Sequence, residues 1–462
     1  MRILLSVFIL LIISSAAAQQ IAFVDANVVD VEKGRILPKQ TVVISQNIIH
    51  YLGPKRQLPK GTNIINAKGK YLIPGLVDFN ASVLNYEYNN EPALLLLLAN
   101  GVTTVRDLQP TVPISFGMQL KQELESGKRI GPRLLLVSPL ITLKGRRDKK
   151  IVVTTAEEGK AAVDSSVAAG ADVIKIDNTL PPVVLNAVVQ QAHQRGKRVI
   201  GGWTTPFTEA AEAGVDAIDH LSDLRRTTSI NRQRYFDFYK ADSSRLVPRK
   251  EFYNRVLPSL GTVDTPYFQQ TIATLKKHNT WLCLNAAFMP STVKFELGDT
   301  VRNHFRSARM KANLQKEKDE IDKLEDLPRY KEKVDMSEIK WAHDLGLKLL
   351  YGTQVYDFRT PGFTVHDGFY WMQENGFTPA EILQTATINP ALFLKREKQW
   401  GSIAKGKIAD VVLLDANPLE DIGNVKKIQA LMLNGRLFTR QQLDELLHEA
   451  SRKMTTARSS SN

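Results

Sequence analysis

Few side chains in this sequence have a type and setting suited to chemistry. Asp78 lies inside the apolar run Leu76, Val77 and Phe79, where a charge is costly unless it finds a partner. Asp107, Asp177 and Asp357 are further carboxylates from which an acid–base pair could be built, but no spacing brings a particular pair together. Cys283 is the only cysteine, so no intramolecular disulfide can form. Its setting, Trp281-Leu282-Cys283-Leu284, is that of a buried strand and of an inert core thiol rather than a nucleophile. There is no Gly-x-Ser-x-Gly elbow, no phosphate-binding P-loop and no Cys-x-x-Cys pair. Gly117, Gly127 and Gly131 are too scattered to cradle phosphate.

The elements that would position these groups follow a clear rhythm. Residues 156–169 read as a helix, closed by Gly170 and followed by the strand Asp172 to Ile176. Residues 185–194 repeat the pattern with Gly196 and a strand from Arg198, and Glu209 to Ala213 with Gly214 lead into Ala217-Ile218-Asp219-His220. Helix, glycine, strand in succession predicts parallel βα units and, as the best single architecture, a (β/α)8 TIM-type barrel of the α/β class. The two chain ends differ: residues 21–31 and 41–52, and later 401–415 and 428–438, alternate as strands separated by turns. Residues 225–340 break the rhythm with a basic, aromatic and then highly charged stretch, read as a helical cap over the barrel mouth.

At 462 residues the chain can hold one large barrel and a smaller domain. Apolar residues at 43% and charged residues at 24% suit a globular protein. The formal charge of +13 is an excess that solubility, an anionic envelope surface or nucleic acid could explain; no nucleic-acid motif accompanies it. Arg2, the apolar run from Ile3 to Ile13 and Ala16-Ala17-Ala18 form a signal-peptide pattern. The run is shorter than the about 20 residues of a spanning helix. Residues 1–18 are expected to be removed after Ala18, leaving an exported protein, periplasmic or secreted, with no transmembrane span.

The stretch IPGLVDFNAS, Ile73 to Ser82, resembles the opening barrel strand of the metal-dependent amidohydrolase superfamily, whose pattern is PG-L-[IV]-D-x-H-x-H. GVTTVRDL from Gly101, GFTPAEILQTATINPALFL from Gly376 and GSIAKGKIADVVLLDANPLED from Gly401 resemble further segments of it, closest to the imidazolonepropionase-like and Xaa-Pro dipeptidase-like branch. The resemblance implies a barrel over 73–398 with the cap at about 225–340. A small β-sandwich would come from 19–72 and 399–438, with a C-terminal helix and disordered tail in 439–462.

It also implies zinc or another divalent metal, held by residues from five strands, and here the sequence departs from the family. The first-strand histidines correspond to Asn80 and Ser82, the fifth-strand histidine to Gly201 or Gly202, and the eighth-strand aspartate to Gln354. The bridging lysine and the sixth-strand histidine remain as Lys175 and His220. A catalytic zinc normally needs three protein ligands, so no metal or other cofactor is expected, with Lys175 and His220 vestigial. Lys175 is expected to be a paired interior lysine, with a carboxylate such as Asp177 as its partner, and Arg106 to pair with Asp107.

Three functions follow as expectations. The first is an exported, degenerate amidohydrolase-like protein that binds a small molecule or an envelope protein at a mouth lined by Asn80, Ser82, Lys175, Trp203, His220 and Gln354. The second is a divergent hydrolase of non-peptide C–N bonds with one weak metal or none, using His220 as base and Lys175 as electrophile. The third is a structural role in an envelope assembly. Nucleic acid is not an expected partner.

Overall fold

The computed structural model describes residues 20–84, 90–108, 110–143, 150–202, 206–220, 222–241, 261–285, 296, 298–324, 336–354 and 359–456. The proposed signal segment, Trp203, Asp357 and parts of the cap lie outside these.

The chain begins as a sheet. Strands β1 (Ile21–Asp30), β2 (Arg35–Ser45) and β3 (Ile48–Gly53) form an antiparallel meander, and β4 (Asn63–Asn66) and β5 (Tyr71–Pro74) run parallel to β1. Pro74 and Gly75 then turn the chain into the barrel.

The first barrel strand is β6 (Leu76–Ala81), all six residues of which are buried. It pairs in parallel with β7 (Val102–Asp107), which pairs with β8 (Arg133–Leu135). The third strand is interrupted at Ser138 and Pro139 and resumes as β9 (Leu140–Thr142), beside which β10 (Lys150–Val152) adds a short parallel strand. Then come β11 (Val173–Asp177), β12 (Arg198–Gly202), β13 (Ala217–Asp219), β14 (Trp281–Cys283) and β15 (Leu349–Leu350). Together β9 to β15 form a parallel sheet in the order β10-β9-β11-β12-β13-β14-β15. Backbone contacts cross both gaps between the two parallel sheets. Val137 bridges Val173, and the Phe79 N–H donates to the Tyr351 carbonyl over 2.8 Å. The result is the TIM-type barrel with its strands in chain order.

The helices between strands carry the local signals that the sequence rhythm suggested. Thr155 caps the helix Ala156–Ala168 in a reciprocal capping box with Glu158, satisfying two of the helix's otherwise orphaned N–H groups. Gly170 follows that helix at φ +95°, a left-handed conformation that favours glycine.

The other chain end returns to the first sheet. Strand β16 (Val411–Leu414) pairs antiparallel with β5, and β17 (Ile428–Leu433) and β18 (Arg436–Thr439) follow it outward. One eight-stranded sheet thus takes strands from both ends, in the order β18-β17-β16-β5-β1-β2-β3 with β4 on β1. Phe23, Val42, Ile44, Leu72, Val411 and Met432 fill a core of its own. The helix Arg440–Thr456 then packs on the helix Asn90–Ala99, with Lys453 contacting Glu91.

Of the cap, the described parts are mostly helical: Ser222–Thr228, Arg232–Ala241, Ala308–Leu324 and Met336–Asp344. Residues 265–283 form an ordinary barrel unit, with a helix over Thr265–Lys277 before β14. A buried ion cluster ties the cap to the barrel. Glu296 is fully buried and accepts from Arg306, from the Thr360 N–H (3.0 Å) and from the Thr360 hydroxyl (2.9 Å). Arg302 grips Asp367 through two bonds of 2.6 and 2.8 Å. No helix among the described residues is long and apolar enough to cross a membrane.

Candidate functional site

In this fold the chemistry belongs at the C-terminal ends of the barrel strands. Asn80 is near the end of the first strand, Ser82 just beyond it, Lys175 in the fourth, Gly202 at the end of the fifth, His220 just past the sixth and Gln354 past the eighth. Asn80, Ser82, His220 and Gln354 thus lie at one end of the barrel, with Lys175 in the middle of its strand below them. The sixth candidate, Trp203, lies outside the described residues.

The eighth strand meets the first through a close backbone approach. The Gln354 N–H donates to the Asn80 carbonyl. A Cβ at Gly352 would stand 2.2 Å from the Asn80 Cβ and 2.8 Å from the Leu284 carbonyl, so only glycine fits between these strands. Asp78 is fully buried and accepts from the Thr353 N–H (2.9 Å), the Thr353 hydroxyl and the Asn80 N–H (3.1 Å). Burial pushes its carboxyl above the ordinary value, against those bonds and the charge of Arg106. The buried charge in the opening motif therefore serves the structure, clamping the last strand to the first.

The His220 Nδ1 lies 3.0 Å from the Gln354 Oε1. Both residues hold positive φ, +77° for His220 and +53° for Gln354. Such backbone costs of order 1–3 kcal/mol each and persists where surrounding structure imposes it. Asn80 differs. It is fully buried, and neither its Oδ1 nor its Nδ2 has a hydrogen-bond partner among the described residues, an arrangement that is costly and rare in folded proteins.

The fifth strand decides between its two glycines. In the parallel register Ile176, Gly201 and Ile218 are neighbours, as are Asp177, Gly202 and Asp219. A Cβ on Gly201 would stand 2.5 Å from the Ile176 carbonyl oxygen. At Gly202 it would meet only the His220 ring, at 3.3 Å. Gly202 is therefore the position facing the other site residues, next to the His220 ring.

Below the rim, three even-numbered strands contribute one charged layer. Asp219 on the sixth strand accepts from Arg106 on the second, over 3.0 Å, and pairs with Lys175 on the fourth. All three are essentially buried. Burial alone would raise the Asp219 carboxyl, but Arg106 and Lys175 together hold it well below the usual carboxylate range. Burial pushes the Lys175 ammonium below its ordinary value against the pull of Asp219.

This layer corrects two expectations. Lys175 pairs with Asp219, not Asp177, whose carboxylate instead accepts from the Thr179 N–H at 3.0 Å. Arg106 pairs with Asp219, not Asp107, which accepts from the backbone of Val83 (2.9 Å) and Leu84 (2.8 Å). Adjacent residues on a strand point to opposite faces, so Arg106 and Asp107 diverge. The sequence did contain a signal for Asp219: like Asp78, it is a charge in a buried strand and demands a partner.

Cys283 is buried beside this layer, with its thiol pushed up by burial and by the nearby Asp219. An unreactive core thiol fits that setting. His366 lies apart, on the helix Phe363–Glu374, bonded at 3.0 Å to the Asn100 carbonyl. Burial, with Lys426 nearby, pushes its imidazole down to about 3.

Among the described residues, no three histidines, cysteines or carboxylates gather as a metal site would require. The side chains described at the rim are an amide, a hydroxyl and an imidazole bonded to a second amide, above a lysine paired with a carboxylate.

Comparison with known proteins agrees with this architecture. The sequence profile of the Amidohydrolase family matches residues 93–438. A search of curated protein sequences finds no match. Among solved structures, a Xaa-Pro dipeptidase with bound methionine in its active site aligns at 19% identity over 91% of this chain and all of its own, with a TM-score of 0.66. Phenylurea hydrolase B aligns at 18% identity over 92% of this chain and 98% of its own (TM-score 0.67). Molinate hydrolase aligns at 20% identity over 92% and 96% (TM-score 0.65). At these identities the likeness is one of fold. The match of the family profile to about three quarters of the sequence, on a TIM-type barrel carrying a sheet made from both chain ends, shows that this chain belongs to the amidohydrolase family.

Proposed function

We propose that this amidohydrolase has given up metal-dependent hydrolysis and uses its barrel mouth to bind a small molecule or an envelope protein partner outside the cytoplasm. One observation carries the reading: His220, the histidine retained at the rim, is hydrogen-bonded to the neutral Gln354. A zinc-like ion needs imidazole, thiolate or carboxylate donors. Asn80, Ser82, Gly202 and Gln354 offer none of these, and Lys175 is engaged by Asp219. The residues present do not fit a catalytic divalent ion. The unpartnered amide of Asn80 supports a ligand site in its place, since a ligand with both a donor and an acceptor would satisfy it. The signal-peptide pattern supports export.

A second reading, a divergent hydrolase of non-peptide C–N bonds, draws support from the survival of His220 at the barrel rim and from structural relatives that are molinate hydrolase and phenylurea hydrolase B. A gain-of-metal experiment tests the first reading. The variant Asn80→His, Ser82→His, Gly202→His, Gln354→Asp should bind about one zinc where the parent binds none. Turnover of phenylureas by the parent protein, unaffected by chelator, would favour the second reading. A quadruple variant that folds and binds no zinc would show that the pocket has lost more than its ligands.

A further inference from the structure

The excess positive charge of the chain is concentrated. Between Lys33 and Val77 the sequence holds eight lysines and arginines and no aspartate or glutamate, more than half of the +13 excess in 45 residues. The stretch builds β2 to β5 and the turns around them; of these, β2 and β3 lie at the end of the sheet farthest from β17 and β18. Arg35 pairs with Asp30 and Lys70 with Asp415. Lys39, Lys55, Arg56 and Lys60 are exposed, and none of them forms an ion pair among the described residues.

The fold brings these four charges to one region. Register pairs Thr41 with Gly53, so Lys39 on β2 and Lys55 just past the end of β3 each lie two residues beyond that pair. Arg56 follows and stacks over the Tyr51 ring at 4.6 Å. The loop then runs past Lys60 to Asn63, whose N–H donates to the Gln20 carbonyl over 2.8 Å. Gln20 is where the chain enters the fold, immediately after the apolar segment Ile3 to Ile13 and its flanking residues. Beside it Ile64 leaves 55% of its surface exposed. A basic loop with an exposed aliphatic side chain thus sits beside the residue at which the described fold begins.

We infer that this basic lobe is a docking surface for an anionic phospholipid bilayer, lying flat against the membrane and turning the barrel away from it. Each lysine or arginine near an anionic surface adds a modest attraction that falls off within a Debye length. Four together with an aliphatic contact give reversible, salt-sensitive binding. Nucleic acid is the weaker occupant, because the loop offers one stacked aromatic and no groove. The inference does not depend on the state of the barrel mouth.

Sedimentation of the full chain with vesicles of phosphatidylcholine, alone or mixed with phosphatidylglycerol, tests it. The variant K39Q/K55Q/R56Q/K60Q is compared with a control, K277Q/K311Q/K316Q/K398Q, that removes four exposed lysines elsewhere. Both are prepared with the same N-terminus as the wild type, so any insertion by an apolar segment there appears equally on the neutral vesicles. The wild type and the control should bind the anionic vesicles about tenfold or more tightly than the lobe variant, and molar salt should abolish the difference. Equal loss in both variants would overturn the inference, as would no preference for anionic vesicles. Lobe-dependent binding to duplex DNA without vesicle binding would also overturn it and assign the surface to nucleic acid.

Discussion

His220 and Gln354 face one another at the ends of the sixth and eighth barrel strands, 3.0 Å apart, each on a backbone of positive φ. The scaffold brings these two side chains, 134 residues apart in sequence, together at one end of the barrel. What they make there is a hydrogen bond between an imidazole and an amide.

The charged layer beneath the rim should be essential to folding. Asp219→Asn would leave Arg106 and Lys175 buried without their shared counterion, at a cost of about 3–5 kcal/mol. Lys175→Met should cost less, because Arg106 still holds Asp219. Urea denaturation of the two variants checks the ranking, and a harmless Asp219→Asn would show that the layer does not hold the barrel together.

The two fifth-strand glycines should differ sharply. Gly201→Ala drives a methyl into the Ile176 backbone carbonyl and should destabilise by about 1–3 kcal/mol. Gly202→Ala meets only the edge of the His220 ring and should leave stability nearly unchanged. Thermal melts of the pair decide this, and equal effects would show that the register has been misplaced.

Mild acid should weaken the fold through His366. Its imidazole is held down to about 3 from an ordinary 6.5, so between those values the unfolded chain binds a proton that the folded chain refuses. This stabilisation is complete above about 6.5 and declines as pH falls, by up to about 1.4 kcal/mol per unit. His366→Asn should flatten the slope of stability between pH 6.5 and pH 5. An unchanged slope would assign the acid sensitivity to other groups.

The end-sheet should fail without its C-terminal strands. A chain ending at Gln399 lacks β16, which covers the edge of β5 through four register pairs from Tyr71 to Pro74. The uncovered edge and the apolar faces of Leu72 and Ile73 should make the protein insoluble. A soluble truncation that melts cooperatively would show that residues 20–74 need no partner.

Much of this architecture was legible because the patterns that encode it are local. Pro74-Gly75 and the apolar run after it announce the first barrel strand, and helix, glycine and strand recur at short range. The alternating segments at the two ends were readable as strands, and their resemblance to known segments joined them across more than 300 residues. What could not be read was pairing across the barrel. Arg106, Lys175 and Asp219 belong to strands far apart in sequence, and nothing near any of them names its partner. The adjacent Asp107 and nearby Asp177 were therefore the natural but incorrect choices. Glu296 gave no warning of its burial, because its charge looks like any other in a charged cap. The choice between Gly201 and Gly202 needed strand register, which a sequence without side chains at either position does not supply.

The most direct measurement is the metal content of the unmutated protein, purified without chelator and analysed by mass spectrometry for zinc, manganese and iron. A barrel mouth that has lost its metal ligands should carry well below one equivalent of each, and its melting temperature should be unchanged by chelator. A stoichiometric metal whose removal lowers the melting temperature would contradict that reading and make this chain a working metallohydrolase with an unfamiliar ligand set.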